Sequence, residues 1–130
     1  MNKPQILIVE DESVAAAELA VTLNELGYSV YAVDSSERII LGTLKEMQPD
    51  LILMDIKLKG TLDGITLTAE INKNYDIPVV YITGISDENT WKRAMKTQNY
   101  GFLLKPFTET ELHAVIERTL QRFDEREKTS

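Results

Sequence analysis

Five residues able to do chemistry stand at the ends of four short apolar runs. Glu10 and Asp11 follow Ile6-Leu7-Ile8-Val9, Asp55 follows Leu51-Ile52-Leu53-Met54, Thr83 follows Val79-Val80-Tyr81-Ile82, and Lys105 follows Phe102-Leu103-Leu104. A run of four apolar residues reads as a strand buried on both faces. Parallel strands would bring all four polar ends to one edge of one sheet, where open α/β folds place their sites. Crowding Glu10, Asp11 and Asp55 there is unfavourable, because like charges a few ångströms apart repel and push one group to protonate. A hard divalent cation removes that conflict, and Mg²⁺ takes a few carboxylate oxygens together with waters and phosphate oxygens. A phosphoryl group at the same edge would find its oxygens neutralised by the metal, the Lys105 ammonium and the Thr83 hydroxyl. Asp55 would then be the nucleophile and carry an acyl phosphate.

The segments between the runs must position these residues. Ser13 to Leu26 has a mostly helical apolar rhythm and Gly27 as its stop. Ser29 to Val33 alternates as a short strand, and Asp34 with Glu37 reads as a capping box for a helix reaching Met47 before Pro49. Asp63-Gly64 opens a helix through Ile65, Leu67 and Ile71 to Asn74, and a further helix bears Trp91, Ala94 and Met95. Thr108 and Glu111 form a second capping box, opening a helix whose Leu112, Val115, Ile116, Leu120 and Phe123 recur at helical spacing. Five βα repeats with short connections predict a three-layer α/β domain with a five-stranded parallel sheet and five helices.

The chain has 130 residues, enough for one domain with a substantial core. It has no cysteine, which excludes disulfides, thiolate catalysis and Cys-based zinc sites. The net charge of −7 argues against a nucleic-acid-binding surface and fits simple solubility. Met1 to Gln5 leads into only four apolar residues before Glu10, too short for a signal-peptide core or a membrane span. The expectation is a cytoplasmic protein with no membrane partner.

Glu10-Asp11, Asp55, Asp63-Gly64, Thr83 and Lys105-Pro106-Phe107 together resemble the response-regulator receiver domain of two-component signalling. The resemblance runs from about Gln5 to Phe123, so residues 1–123 are expected to form the receiver and 124–130 a charged tail or helical linker. It implies a doubly wound, flavodoxin-like sheet of order 2-1-3-4-5. It also implies that Asp55 accepts a phosphoryl group from a sensor histidine kinase or a small phosphodonor. Asp11 and Asp55 would bind Mg²⁺, or Mn²⁺, with Glu10 acting through water and the backbone carbonyl of Lys57 completing the protein ligands. Thr83 and the aromatic Phe102 would be the switch pair, Lys105 would pair with the phosphoryl oxygens, and the Lys105-Pro106 bond would be cis. Trp91, Met95, Phe102 and Val115 would lie on or beside the face used for a homodimer or a downstream target. Two departures stand out, since Asp55 to Gly64 lacks the family's proline and carries one extra residue. Lys57 and Ile85, two residues after Asp55 and Thr83, resemble the positions that tune phosphoryl lifetime in the family, where a large apolar Ile85 could hinder the attacking water.

Plainer readings compete at single positions. Asp55 alone could cap a turn, and Glu12 suits the first turn of a helix. Asp63 reads as a helix cap with Gly64 giving close packing or a turn, and His113 reads as a surface residue. A magnesium phosphatase or nucleotidyl-transfer domain would want an Asp-x-Asp pair, which Asp55-Ile56-Lys57 lacks. A flavin or nucleotide module would want a phosphate cradle where Glu10-Asp11-Glu12 would repel phosphate. A scaffold without phosphorylation would not need the full polar set. The expected role is a switch that assists its own phosphorylation and dephosphorylation, without external substrate turnover.

Overall fold

The computed structural model describes residues 3–34, 36–57, 63–84 and 88–129. Its strands are β1 (Gln5–Val9), β2 (Ser29–Val33), β3 (Leu51–Asp55), β4 (Val79–Thr83) and β5 (Gly101–Leu104). They alternate with α1 (Ser13–Glu25), α2 (Glu37–Glu46), α3 (Gly64–Asn74), α4 (Glu88–Met95) and α5 (Glu109–Thr129). All strand pairs are parallel and the order is β2-β1-β3-β4-β5, as expected.

The central runs are apolar at every position because both faces of the sheet are covered. Alternate side chains serve two cores. Leu7, Val9, Ile52, Met54, Val79 and Tyr81 pack with residues of α2, α3 and α4, including Ile40, Ile71 and Ala94. Ile6, Ile8, Leu51, Leu53, Val80 and Ile82 point the other way, onto Leu23 of α1 and Leu112, Val115 and Ile116 of α5. Parallel register then aligns the strand ends: Val9 lies beside Met54, Asp55 beside Ile82, and Thr83 beside Leu104.

Local signals set the helix ends, with one correction. Gly27 takes φ +101°, a backbone state that favours glycine, and the Tyr28 N–H returns to the Leu23 carbonyl. Asp63 caps α3 by accepting from the Thr66 N–H at 2.9 Å. The Asp34 capping box does not form: α2 starts at Glu37, Ser36 caps it by accepting from the Ile39 N–H, and Asp34 accepts from the Ser36 N–H. Asp34 lies two residues too early to cap the helix, so its short carboxylate accepts from the Ser36 N–H instead. Thr108 and Glu111 do form the reciprocal box, at 2.9 and 3.1 Å.

Helix α5 continues past Phe123 through the charged segment to Thr129. The Phe123 ring meets Tyr100 edge-on, and Arg126 pairs with Asp76. Val115 does not lie on an accessible face: it is 4% exposed, because Leu112, Val115 and Ile116 form the stripe of α5 that faces the sheet. Trp91 and Met95 are 43% and 58% exposed, while Ala94 between them turns into the core. Replacing Thr108 with alanine removes one half of the α5 capping box and is expected to cost about 1 kcal/mol in urea unfolding. A midpoint unchanged from the parent protein would contradict that role.

Candidate phosphoryl-acceptor site

Asp55 closes β3 at the centre of the sheet and is only 6% exposed. Its Oδ1 accepts from the Lys57 backbone N–H at 3.0 Å, and its Oδ2 accepts from the Lys105 ammonium at 3.1 Å. Lys105 also lies 3.5 Å from Oε1 of Glu10, which extends from the end of β1. One lysine from the end of β5 thus spans two carboxylates from the ends of β1 and β3. Its backbone is held by its own N–H, which donates to the Thr83 carbonyl at 2.9 Å. The Lys105-Pro106 bond is cis.

The electrostatics follow from that geometry. Burial raises the pKa of Glu10 above the ordinary carboxylate range, and its hydrogen bond with Asp55 and that carboxylate's charge raise it further; Lys105 opposes the shift only in part. Burial alone would lower the pKa of Lys105, but Asp55 and Glu10 together carry it above the usual lysine value. The site is thus richer in carboxylate than one ammonium can neutralise.

Thr83, 2% exposed, closes β4, and Asp11 lies half-buried between β1 and α1 directly after Glu10. Lys57 follows Asp55 by two residues and is exposed. Among the described residues no three Asp, Glu or His side chains converge as a metal cluster. The donor set nevertheless suits a hard divalent cation: carboxylates from neighbouring strand ends, one of them pushed toward protonation by burial and by its neighbour, with more negative charge than Lys105 balances. A cleft of about 500 Å³ between α1 and α5 reaches this edge, lined by Glu10, Asp55 and Lys105 together with Leu19 and Phe107.

Gly64 shapes the site from below. A Cβ there would stand 2.1 Å from the carbonyl oxygen of Asp55, and the Gly64 N–H donates to the Ile56 carbonyl at 2.9 Å. The start of α3 is therefore pressed against the backbone of Asp55. Asp63, beside it, also accepts from Arg93 of α4 at 2.8 Å, a contact that sequence spacing does not signal because the partners are thirty residues apart. Phe102 is half-buried, with its ring stacked on Trp91 at 4.0 Å and tilted against Tyr81 at 5.4 Å. The extended loop at 58–62 and Ile85 lie outside the described residues.

A doubly wound parallel sheet with this acid, hydroxyl and lysine edge defines a class of signalling domain. The chain belongs to the response-regulator receiver family, whose sequence model, the response regulator receiver domain, matches residues 6–117. It is 35% identical over 123 residues to the transcriptional regulatory protein PdtaR of Mycobacterium tuberculosis, an alignment spanning 93% of this chain and 58% of that protein. It is 33% identical to the transcriptional regulatory protein BaeR of Escherichia coli, over 93% of this chain and 50% of BaeR. The chain therefore spans about half the length of the curated relatives it matches. Among solved structures, the receiver domain of a modulated diguanylate cyclase from Desulfovibrio desulfuricans aligns with a TM-score of 0.88 at 34% identity, over 96% of this chain and 99% of that one. NtrX from Brucella abortus aligns with a TM-score of 0.89 at 30% identity, over 98% of this chain and 29% of NtrX.

Two substitutions probe the site. Gly64→Ala is expected to lose about 1–3 kcal/mol in denaturant unfolding, since its methyl would collide with backbone. Unchanged stability would contradict the contact. Glu10→Gln is expected to raise the thermal midpoint by roughly 2–5 °C at neutral pH without metal. The sign follows from the raised folded-state pKa: the wild type carries no penalty below the unfolded value and acquires one as pH rises through the folded value. The gain should therefore shrink toward pH 4.5 and vanish below it, as thermal scans across pH would show.

Proposed function

We propose that this chain is a phosphorylation-dependent switch in which Asp55 accepts a phosphoryl group from a sensor histidine kinase. The observation that carries the reading is the Lys105 ammonium held against Asp55 and Glu10 at one edge of the sheet. In the transfer, a carboxylate oxygen of Asp55 forms the new bond to phosphorus as the bond to the donor's imidazole nitrogen breaks. The donor imidazole leaves with its electron pair and is protonated. A small phosphodonor such as acetyl phosphate would react the same way, releasing acetate.

Glu10, Asp11, Asp55 and the backbone carbonyl of Lys57 would hold Mg²⁺, or Mn²⁺, which when bound supplies charge neutralisation for the incoming phosphoryl oxygens. The chain's own groups do the rest. Lys105 already points its ammonium at Asp55 and would follow the charge onto the phosphoryl oxygens. Thr83, at the end of the neighbouring strand, would donate its hydroxyl to them, and Phe102 would move with it. Phosphorylation then favours whichever conformation lets Thr83 and Lys105 bind the phosphoryl group better, a population shift with a surface as its output.

That surface is the α4 and β5 side bearing exposed Trp91 and Met95, offered to a second copy or a downstream protein. No helix among the described residues is long and apolar enough to cross a membrane. A cytoplasmic location suits a partner of a sensor kinase's phosphohistidine, and the acidic surface suits protein partners better than direct nucleic-acid contact.

Incubation with acetyl phosphate and Mg²⁺ is expected to add the mass of one phosphoryl group, which EDTA or Asp55→Asn abolishes. Lys105→Met should slow the modification on the order of a hundredfold. A wild-type mass that stays unmodified under these conditions would overturn the assignment.

A further inference from the structure

Helix α4 buries only Ala94 in the core, and polar side chains otherwise dominate its eight residues. Two contacts from one stretch of it nevertheless reach toward the acceptor. Trp91 stacks on Phe102, which leans on Tyr81 of β4. Two residues on, Arg93 donates from Nη1 to Oδ2 of Asp63 at 2.8 Å and approaches the Thr66 hydroxyl at 3.5 Å. Burial would raise the pKa of Asp63, yet Arg93 and the Thr66 N–H hold it below the usual carboxylate range, so the pair is charged at neutral pH.

The two contacts differ in stiffness. Stacked rings slide sideways at little cost, whereas a charge-assisted hydrogen bond has a defined length and direction. Behind Asp63 there is no slack: Gly64 abuts the Asp55 carbonyl too closely for any Cβ, and its N–H is bonded to Ile56. A displacement of the Asp55 backbone would therefore press on Asp63 and, through Arg93, on α4. Displacement of α4 would carry Trp91 with it, because only Lys92 separates Trp91 from Arg93 on the same helix.

We infer that Arg93 is a positioning residue that couples the acceptor strand to α4, through Asp63 and Gly64, so that the state of Asp55 is read out at the Trp91 surface. This rests on Asp55 being the phosphoryl acceptor. Coupling is reciprocal, so a partner that shifts α4 would also alter phosphoryl binding at Asp55. An exposed ion pair is worth little, so its loss should change anion affinity by less than about fivefold while breaking the transmission.

Trp91 is the only tryptophan, which makes the test direct. Beryllofluoride with Mg²⁺ is titrated into wild type, Arg93→Ala and Arg93→Lys; binding is followed by fluorine NMR, Trp91 emission by fluorescence, and folding by thermal melts. The expected result is saturable binding in all three, an emission change in wild type, less than half of that change in Arg93→Ala, and partial recovery in Arg93→Lys. A full emission change in Arg93→Ala overturns the inference, as does a wild type that binds with silent Trp91. Folded Arg93→Ala that no longer binds also overturns it, since the pair would then build the site and not report on it. Failure of wild type to bind beryllofluoride overturns the acceptor reading itself.

Discussion

The ammonium of Lys105 between buried Asp55 and half-buried Glu10 is the interaction on which this edge of the molecule depends. Asp55 and Glu10 are withdrawn from water and set beside one another, which raises the cost of charging both. A single cation from the end of β5 offsets part of that cost, and the remainder leaves a site disposed to take further positive charge. The same imbalance is what the proposed divalent cation and phosphoryl group would act on.

Lys105 reaches Asp55 because the sheet allows no other alignment. β3 lies between β1 and β4, and β4 lies between β3 and β5, all in one parallel register. A slip of one residue in any pair would turn its apolar side chains from one core to the other. Since both faces are covered, every slip exposes a mismatch, and the strand ends are held in line. Backbone hydrogen bonds at the edge, from Lys105 to Thr83 and from Ile56 to Ile82, extend that alignment past the last paired residues.

Much of this was legible in the chain. Continuous apolar runs mark strands buried on both sides, and the polar residue ending each run marks the edge where chemistry collects. Asp63, Thr108 with Glu111, and Gly27 announced helix ends through local hydrogen bonding or backbone freedom, signals that act over three or four residues. Asp34 misled because Ser36, two residues later, competes for the same role and wins once the helix starts at Glu37. Val115 misled because placing a residue beside a surface does not say which way its side chain points; the inward stripe of α5 decided that.

The sequence by itself determined the order of elements, the membership of the core strands and the identities of the acid, hydroxyl and lysine at their ends. These follow from periodicity and local turn chemistry, which need no knowledge of distant residues. Only the tertiary structure decided that Lys105 spans Glu10 and Asp55, that Gly64 presses on the Asp55 carbonyl, and that Arg93 reaches Asp63 while Trp91 covers Phe102. Each of those joins side chains or backbone from different elements. Its existence depends on ångström-scale distances that packing sets and that spacing along the chain does not encode.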